Sequence, residues 1–154
     1  MTGGSLVRLL LALVALSLSL AGCRRAAGAG GATLGSLRIQ GAYAFQPVTR
    51  DEAAVYFEVV NSAETTDTLV SAACELSGSA MIHGMGAGGP AEMAALERLP
   101  IPAHHSVRLE PGGLHLMLMD LDRIPPAGDN LNLTLRFARA GTVTFAVPVR
   151  PYGR

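Results

Sequence analysis

A histidine and a methionine stand two residues apart in the run GGLHLMLM, residues 112–119. Alternate side chains of a β-strand lie on the same face, so His115 and Met117 would be neighbours there. An imidazole and a thioether are soft, neutral ligands that suit copper(I). Upstream, twenty-one residues lie between Met93 and His115, and nine lie between His83 and Met93. Two histidines and two methionines therefore form a candidate four-ligand set for one Cu(I) ion.

The N-terminus predicts that the protein works outside the cytoplasm. Residues 1–22 hold a single charge, Arg8, followed by an apolar run over residues 9–20. This pattern is typical of a secretory signal and is too short for a membrane-spanning helix, which needs about 20 apolar residues. The sequence LAGC at residues 20–23 resembles the bacterial lipobox, which implies that Cys23 is lipidated. We therefore expect a membrane-anchored, periplasm-facing lipoprotein, with an ordinary secretory signal as the alternative.

Composition narrows the classes of function. The formal net charge is zero and the longest basic run is the pair at residues 24–25, so nucleic acid is not an expected partner. With Cys23 lipidated, Cys74 is the remaining thiol, which excludes a disulfide framework. Methionine ligands persist in an oxidising compartment where paired cysteines would oxidise. We find no nucleophile with a nearby base and no phosphate-binding loop, so the sequence does not predict an enzyme.

Alternation of apolar and polar side chains with period two predicts a single all-β domain over residues 37–150. Residues 23–36 have too few apolar side chains to order themselves, and they are expected to form a flexible tether. The clearest strand places four apolar residues on one face, towards the core: Leu131, Leu133, Leu135 and Phe137. Many short strands separated by Gly and Pro favour a β-sandwich or Greek-key β-barrel.

Turn residues predict how some of these strands connect. The Ala140-Gly141 turn predicts a hairpin to the last strand, and Pro148 indicates that this strand lies at a sheet edge. A polar cluster between residues 54–60 and residues 68–73 predicts a second hairpin. Residues 84–90 are expected to be a glycine-rich loop without regular structure, which would let the neighbouring ligands move.

The order of the candidate ligands resembles the bacterial PCu(A)C copper chaperones. The resemblance rests on His83, Met93 and the triplet at residues 115–117, with EPGG at residues 110–113 before them, and covers residues 37–149. It implies a cupredoxin-like fold and one bound Cu(I). It also implies delivery of copper to the copper centres of respiratory cytochrome oxidase or to another copper carrier. In the family pattern ten residues separate the first histidine from the first methionine, whereas nine separate His83 from Met93. Met85 is therefore the alternative to Met93.

Several interpretations remain beside this one. Met81 shares a face with His83 and is expected to be a packing residue, and Met119 is expected to lie in the core or behind the ligands. His104 and His105 are expected to be solvated turn residues. The protein could sequester periplasmic copper for tolerance instead of delivering it, or it could be a metal-free adhesive or scaffolding β-sandwich.

Overall fold

The computed structural model describes residues 30–86 and 89–152, and the side chains of residues 85–93 fall outside that description. The predicted signal segment at residues 1–22 and the predicted lipidation site Cys23 also lie outside the described residues. Eleven strands are described, and no helix accompanies them within these ranges: β1 (Ala32–Leu34), β2 (Leu37–Phe45), β3 (Glu52–Asn61), β4 (Asp67–Cys74), β5 (Ser77–Gly86), β6 (Gly89–Leu96), β7 (Leu99–Ile101), β8 (Ser106–Leu109), β9 (His115–Leu121), β10 (Asn130–Phe137) and β11 (Gly141–Arg150).

The strands follow one hydrogen-bonded path in the order β6-β5-β9-β3-β2-β11-β10-β4-β7, with β1 attached to β2 and β8 to β3. The path curls into a nearly closed barrel. All of its pairings are antiparallel except that of β11 with β2, which is parallel. The prediction of an all-β barrel or sandwich is therefore confirmed.

The path has two halves, the first made of β6, β5, β9, β3 and β2 and the second of β11, β10, β4 and β7. The core lies between these halves and is built by alternate apolar residues. The face predicted from β10 is confirmed, because its four apolar side chains are at most 2% exposed: Leu131, Leu133, Leu135 and Phe137. They pack with the inward residues of β3 and β9, among them Val55, Leu116 and Leu118. The predicted hairpin of β10 and β11 is also confirmed, with Phe137 opposite Gly141.

A buried carboxylate fixes the turn of this hairpin. Asp67, at the start of β4, is 5% exposed. Its Oδ1 accepts hydrogen bonds from the backbone N–H groups of Thr68 and Arg139 at 2.7 and 2.9 Å, and its Oδ2 accepts one from Ala140 at 2.8 Å. Burial alone would raise the pKa of Asp67, but these bonds and the Arg139 charge outweigh it and hold the pKa below its usual value.

The predicted second hairpin is wrong. β3 pairs with β2, β8 and β9, whereas β4 pairs with β10 and β7. The chain leaves the first half of the barrel at Asn61. The buried amide of Asn61 donates to the carbonyls of Thr65 and Ile101 at 2.9 and 3.0 Å. The polar cluster after Asn61 therefore carries the chain from one half of the barrel to the other.

Pro148 does not place the last strand at an edge, because β11 lies between β10 and β2. Pairing with β2 begins at Val149, directly after the proline, and Pro148 itself is opposite Asn130 of β10. A proline lacks the N–H group that an interior strand would use on one side. It is tolerated here because the second neighbour joins only beyond it.

Two segments are more regular than the sequence predicts. β5 and β6 extend into the glycine-rich stretch to Gly86 and from Gly89, with an irregularity after Met85. Backbone groups pair without help from side chains, so glycine weakens a strand but does not prevent it. β1 likewise lies inside the predicted tether, where Ala32 pairs with Ile39 of β2. For residues 32–34 the tether prediction is therefore wrong.

Candidate metal centre

The two candidate histidines lie directly opposite one another on neighbouring strands. β5 and β9 are antiparallel, and their register pairs His83 with His115, Met81 with Met117 and Ser79 with Met119. The sequence places these residues far apart, and the sheet brings them into three consecutive cross-strand pairs. Directly paired residues have Cβ atoms about 4.5–5.5 Å apart, so their side chains interact.

These pairs lie on the outer face of the sheet. The residues between them, Ile82 on β5 and Leu116 and Leu118 on β9, are buried in the core. Because side chains alternate along a strand, the histidines and methionines point away from the core. A ligand could therefore bind to this face without disturbing the packing of the barrel.

The two imidazole rings are close enough to bind one ion. Their centroids are 5.8 Å apart and the ring planes cross at 70°. Both residues are half-buried. Imidazole nitrogens coordinate metals such as zinc at about 2.0–2.1 Å, so rings at this separation can share an ion after small side-chain rotations.

A backbone carbonyl orients the ring of His115. Nδ1 of His115 lies 2.9 Å from the carbonyl oxygen of Gly113. A carbonyl only accepts hydrogen bonds, so Nδ1 must carry the proton and donate it. In the neutral ring, Nε2 then has a free lone pair. Metal-binding histidines commonly have this second hydrogen bond, which fixes both the tautomer and the direction of the ring.

Met117 is buried but does not belong to the core. It is 9% exposed, yet it stands on the outer face, with the small residue Ala54 of β3 as its other cross-strand neighbour. A cleft of about 240 Å³ beside it is lined by His115, Met117 and a group of aromatic side chains. Apolar surroundings limit water at a metal site and so affect its chemistry.

Those aromatic side chains are a feature that the sequence analysis missed. Phe45, Tyr56 and Tyr152 line the cleft, and Tyr56 also packs against Tyr43 with ring centroids 5.2 Å apart. Burial, followed by electrostatic repulsion from Tyr43 and Tyr152, raises the pKa of Tyr56. The alternation of Tyr43 and Phe45 on one strand was the signal that could have revealed this cluster.

The fourth candidate ligand, Met93 or its alternative Met85, is placed only by its backbone. Met85 of β5 is the cross-strand partner of Met93 of β6, and His83 is the partner of Ala95. Met85 and Met93 therefore form a cross-strand pair two residues along from the pair of His83 and Ala95. Their side chains lie outside the described residues, so the choice between Met93 and Met85 stays a prediction.

The structure also locates the other histidines and methionines named from the sequence. Met81 is 41% exposed, so the expectation that it is a packing residue is wrong. Its position on the outer face explains this, since the core side of β5 is taken by Ile82. Met119 is half-buried on the same outer face. His104 and His105 are exposed in the turn after β7, as predicted, and His104 Nε2 lies 2.9 Å from a carboxylate oxygen of Glu64.

The described side chains offer no alternative site made of histidine, cysteine or carboxylate ligands. Among those side chains, which exclude residues 85–93, no group of three or more His, Cys, Asp or Glu could hold a metal ion. Cys74 is a free, buried thiol, and burial raises its pKa, which disfavours the thiolate needed for metal binding.

Within residues 30–86 and 89–152, no helix could span a membrane.

Comparison with known proteins identifies the family of this chain. Residues 37–149 match the model of a family described as "Putative lipoprotein LpqE-like". The chain belongs to the LpqE-like lipoprotein family. A relative in Leifsonia xyli subsp. xyli, the putative lipoprotein Lxx21020, is 34% identical over 101 residues, which cover 64% of this chain and 61% of that protein. The chain thus matches about three fifths of the length of this relative.

Solved PCuAC domains share the fold. The apo PCuAC domain of PmoF2 is 26% identical with a TM-score of 0.70, covering 80% of this chain and 97% of that domain. Its copper-bound form gives 27% identity and a TM-score of 0.69, over 79% and 97% of the two chains. The Cu(I) form of DR1885 from Deinococcus radiodurans is 29% identical with a TM-score of 0.61, over 85% and 87%. The predicted PCu(A)C resemblance and cupredoxin-like fold are therefore confirmed.

Proposed function

We propose that this LpqE-like protein is a Cu(I)-binding metallochaperone and has no catalytic activity of its own. The observation that carries the proposal is the pairing of His83 with His115, beside the pair of Met81 and Met117. Neutral imidazole and thioether ligands hold Cu(I) less tightly than thiolates, so the ion can be passed on. The copper-bound PCuAC domain of PmoF2 and the Cu(I) form of DR1885 support the assignment through their shared fold.

In this proposal His83, His115, Met117 and one further methionine bind one Cu(I) ion. His115 binds through Nε2, because Nδ1 donates to the carbonyl of Gly113. Met93 is the proposed fourth ligand, with Met85 as the alternative. Copper is the cargo of the protein. A thioether is neutral and has no acidic proton, so it binds or releases copper without gaining or losing a proton.

The proposed location is the outer side of a membrane. Lipid on Cys23 would anchor the protein after removal of residues 1–22, and much of residues 23–36 would tether the domain at residues 37–150. Several acyl chains on one residue give stable anchoring, since each buried methylene contributes about 0.8 kcal/mol. The family and the Leifsonia relative are both described as lipoproteins, which supports this location.

Anaerobic titration of the full chain in detergent with Cu(I), against a chromogenic Cu(I) chelator, tests copper binding. We expect saturation at one ion per chain, and X-ray absorption should show mixed nitrogen and thioether coordination. Met117→Ala should weaken binding at least about tenfold, the usual scale for losing a contact at a metal site. Binding that does not saturate, or coordination by oxygen and nitrogen alone, would contradict the proposal and favour the metal-free scaffold.

Delivery to the copper centres of cytochrome oxidase is the proposed use of the bound ion. A strain lacking the protein should lose cytochrome oxidase activity when copper is scarce and regain it when copper is added. If instead the strain keeps its oxidase activity but becomes sensitive to excess copper, the protein serves sequestration and tolerance.

A further inference from the structure

Three described methionines lie together on the outer face, next to the two histidines. Met81 and Met117 are cross-strand partners, and Met119 follows two residues later on β9, opposite Ser79. Alternate residues on a strand are about 6.6–6.8 Å apart, and diagonal neighbours on paired strands are about 7–8 Å apart. Methionine has a flexible side chain with three rotatable bonds, so three sulfur atoms at these spacings can converge on one point.

The fold does not need these side chains for packing. None of the three belongs to the core cluster, and Met81 is one of the few large apolar residues that are exposed within the described ranges. Two of their outer-face neighbours, Ser79 and Ala54, are small and leave room around the sulfur atoms, and the cross-strand neighbour of Met119 on β3 is the exposed Glu52. Exposure increases from Met117 at 9% to Met81 at 41%, so Met81 presents the set to solvent.

The chemistry of the set points to the same ion as the histidines. Thioethers are neutral and soft, they have no proton to lose, and they select Cu(I) over harder cations. Without an imidazole or thiolate, such a set should hold copper more weakly than a site that contains two histidines. A weak site next to a stronger one can serve the passage of an ion without trapping it.

We infer that Met81, Met117 and Met119 form a second Cu(I) position through which copper enters and leaves the site of His83 and His115. Met117 belongs to both positions. As copper leaves, the sulfur of Met81 replaces His83 on copper and the sulfur of Met119 then replaces His115, and the bond from copper to the fourth ligand, Met93 or Met85, also breaks. Copper stays Cu(I) throughout, and no electron or proton is transferred. This inference rests on the proposed function.

Met81→Leu and Met119→Leu test it in the full chain, because leucine keeps the approximate volume and removes the sulfur. The measurements are the equilibrium affinity for Cu(I) and the stopped-flow rate at which the loaded protein gives copper to bathocuproine disulfonate. Ile124→Leu is the control, since Ile124 is exposed to nearly the same extent, 40%, and lies after the end of β9.

We expect Met81→Leu to slow copper transfer at least about fivefold while the affinity falls less than about threefold, because losing a transit ligand changes a rate more than an equilibrium. Met119→Leu should act in the same direction, and Ile124→Leu should match the parent. In the parent, Cu(I) should shift the methyl NMR signals of Met81 and Met119.

Unchanged transfer rates in both leucine variants would overturn this inference and leave the proposed function intact. So would a loss of affinity in Met81→Leu as large as that in Met117→Ala, since Met81 would then be a ligand of the main site. A parent protein that does not bind Cu(I) would overturn the proposed function, and this inference with it.

Discussion

Two histidines of this chain make the same local hydrogen bond, and only one of them lies in the candidate metal centre. Nδ1 of His115 contacts the carbonyl of Gly113 at 2.9 Å, and Nδ1 of His105 contacts the carbonyl of Ala103 at 2.7 Å. His115 begins β9 and faces His83 on β5, whereas His105 lies in an exposed turn between β7 and β8. The carbonyl orients each ring, but of the two histidines only His115 has another candidate ligand, His83, opposite it on the neighbouring strand.

The strongest test of this comparison replaces each histidine in turn. His115→Ala should weaken Cu(I) binding at least about 100-fold, because it removes a ligand whose free nitrogen is already oriented by the backbone. His105→Ala should leave the affinity unchanged. Competition with a chromogenic Cu(I) chelator measures both variants. Equal losses in the two variants would mean that local geometry, and not the partner strand, makes the site.

The next test removes the partner instead of the oriented ring. His83→Ala should weaken Cu(I) binding about 10- to 100-fold, because the remaining thioethers on the outer face replace the lost imidazole only in part. His104→Ala removes the histidine adjacent to His105 and is the matched control, with no expected change. The same chelator competition applies, and an unchanged affinity for His83→Ala would remove β5 from the site.

Asp67 allows stability to be changed without touching the histidine pair. Asp67→Asn should lower the free energy of unfolding by about 1–3 kcal/mol, because a buried charged acceptor loses good bonds to three backbone N–H groups. Urea unfolding measures the loss. Asp129→Asn is the control, since its ion pair with Arg123 is exposed. Copper affinity should be unchanged in both variants, and a loss in Asp67→Asn would couple the two halves of the barrel.

The same carboxylate predicts how stability depends on pH. The pKa of Asp67 is lowered in the folded protein, so its contribution is complete above the unfolded pKa of about 3.9 and is lost as the pH falls through the lower folded value. Urea midpoints measured from neutral to acidic pH should fall more steeply below that region for the parent than for Asp67→Asn. Parallel curves would show that Asp67 is not the group responsible.

The smallest expected effect belongs to the turn that carries His105. Glu64→Ala removes the partner of His104, and it should change the free energy of unfolding by less than about 0.5 kcal/mol because exposed pairs contribute little. Thermal or urea unfolding would show it. A larger loss would indicate that the turn contributes to the fold as well as being a solvated surface.

Periodicity predicts the faces of strands well here, and it predicts their partners poorly. The alternation over β9 and β10 identifies both the buried leucines and the outward pair of His115 and Met117. Alternation is a property of each strand alone, so it can be read locally. The pairing of β3 and β4 with other strands depends on contacts across the barrel, such as Asn61 to Ile101, that no local pattern records.

The candidate site shows the same difference between what a local pattern predicts and what depends on strand pairing. The residue types and the predicted compartment favour a soft-metal site, and the resemblance to the PCu(A)C chaperones implies Met93, His115 and Met117 as ligands. The sequence does not predict that His83 faces His115, since this follows from the register of β5 and β9. Nor does it predict that Met81 is exposed, because apolar residues on a strand usually fill the core.

The place of β11 has a consequence for the order in which the barrel is made. This strand joins the two halves, pairing with β10 on one side and with β2 on the other, and it is the last strand of the described chain. During synthesis or passage through a membrane channel, the first ten strands emerge before the strand that connects their two groups. The barrel therefore closes only after residues 141–150 have emerged, and until then the edge of β10 and the part of β2 at residues 44–45, which β1 does not cover, stay open to pairing with other chains.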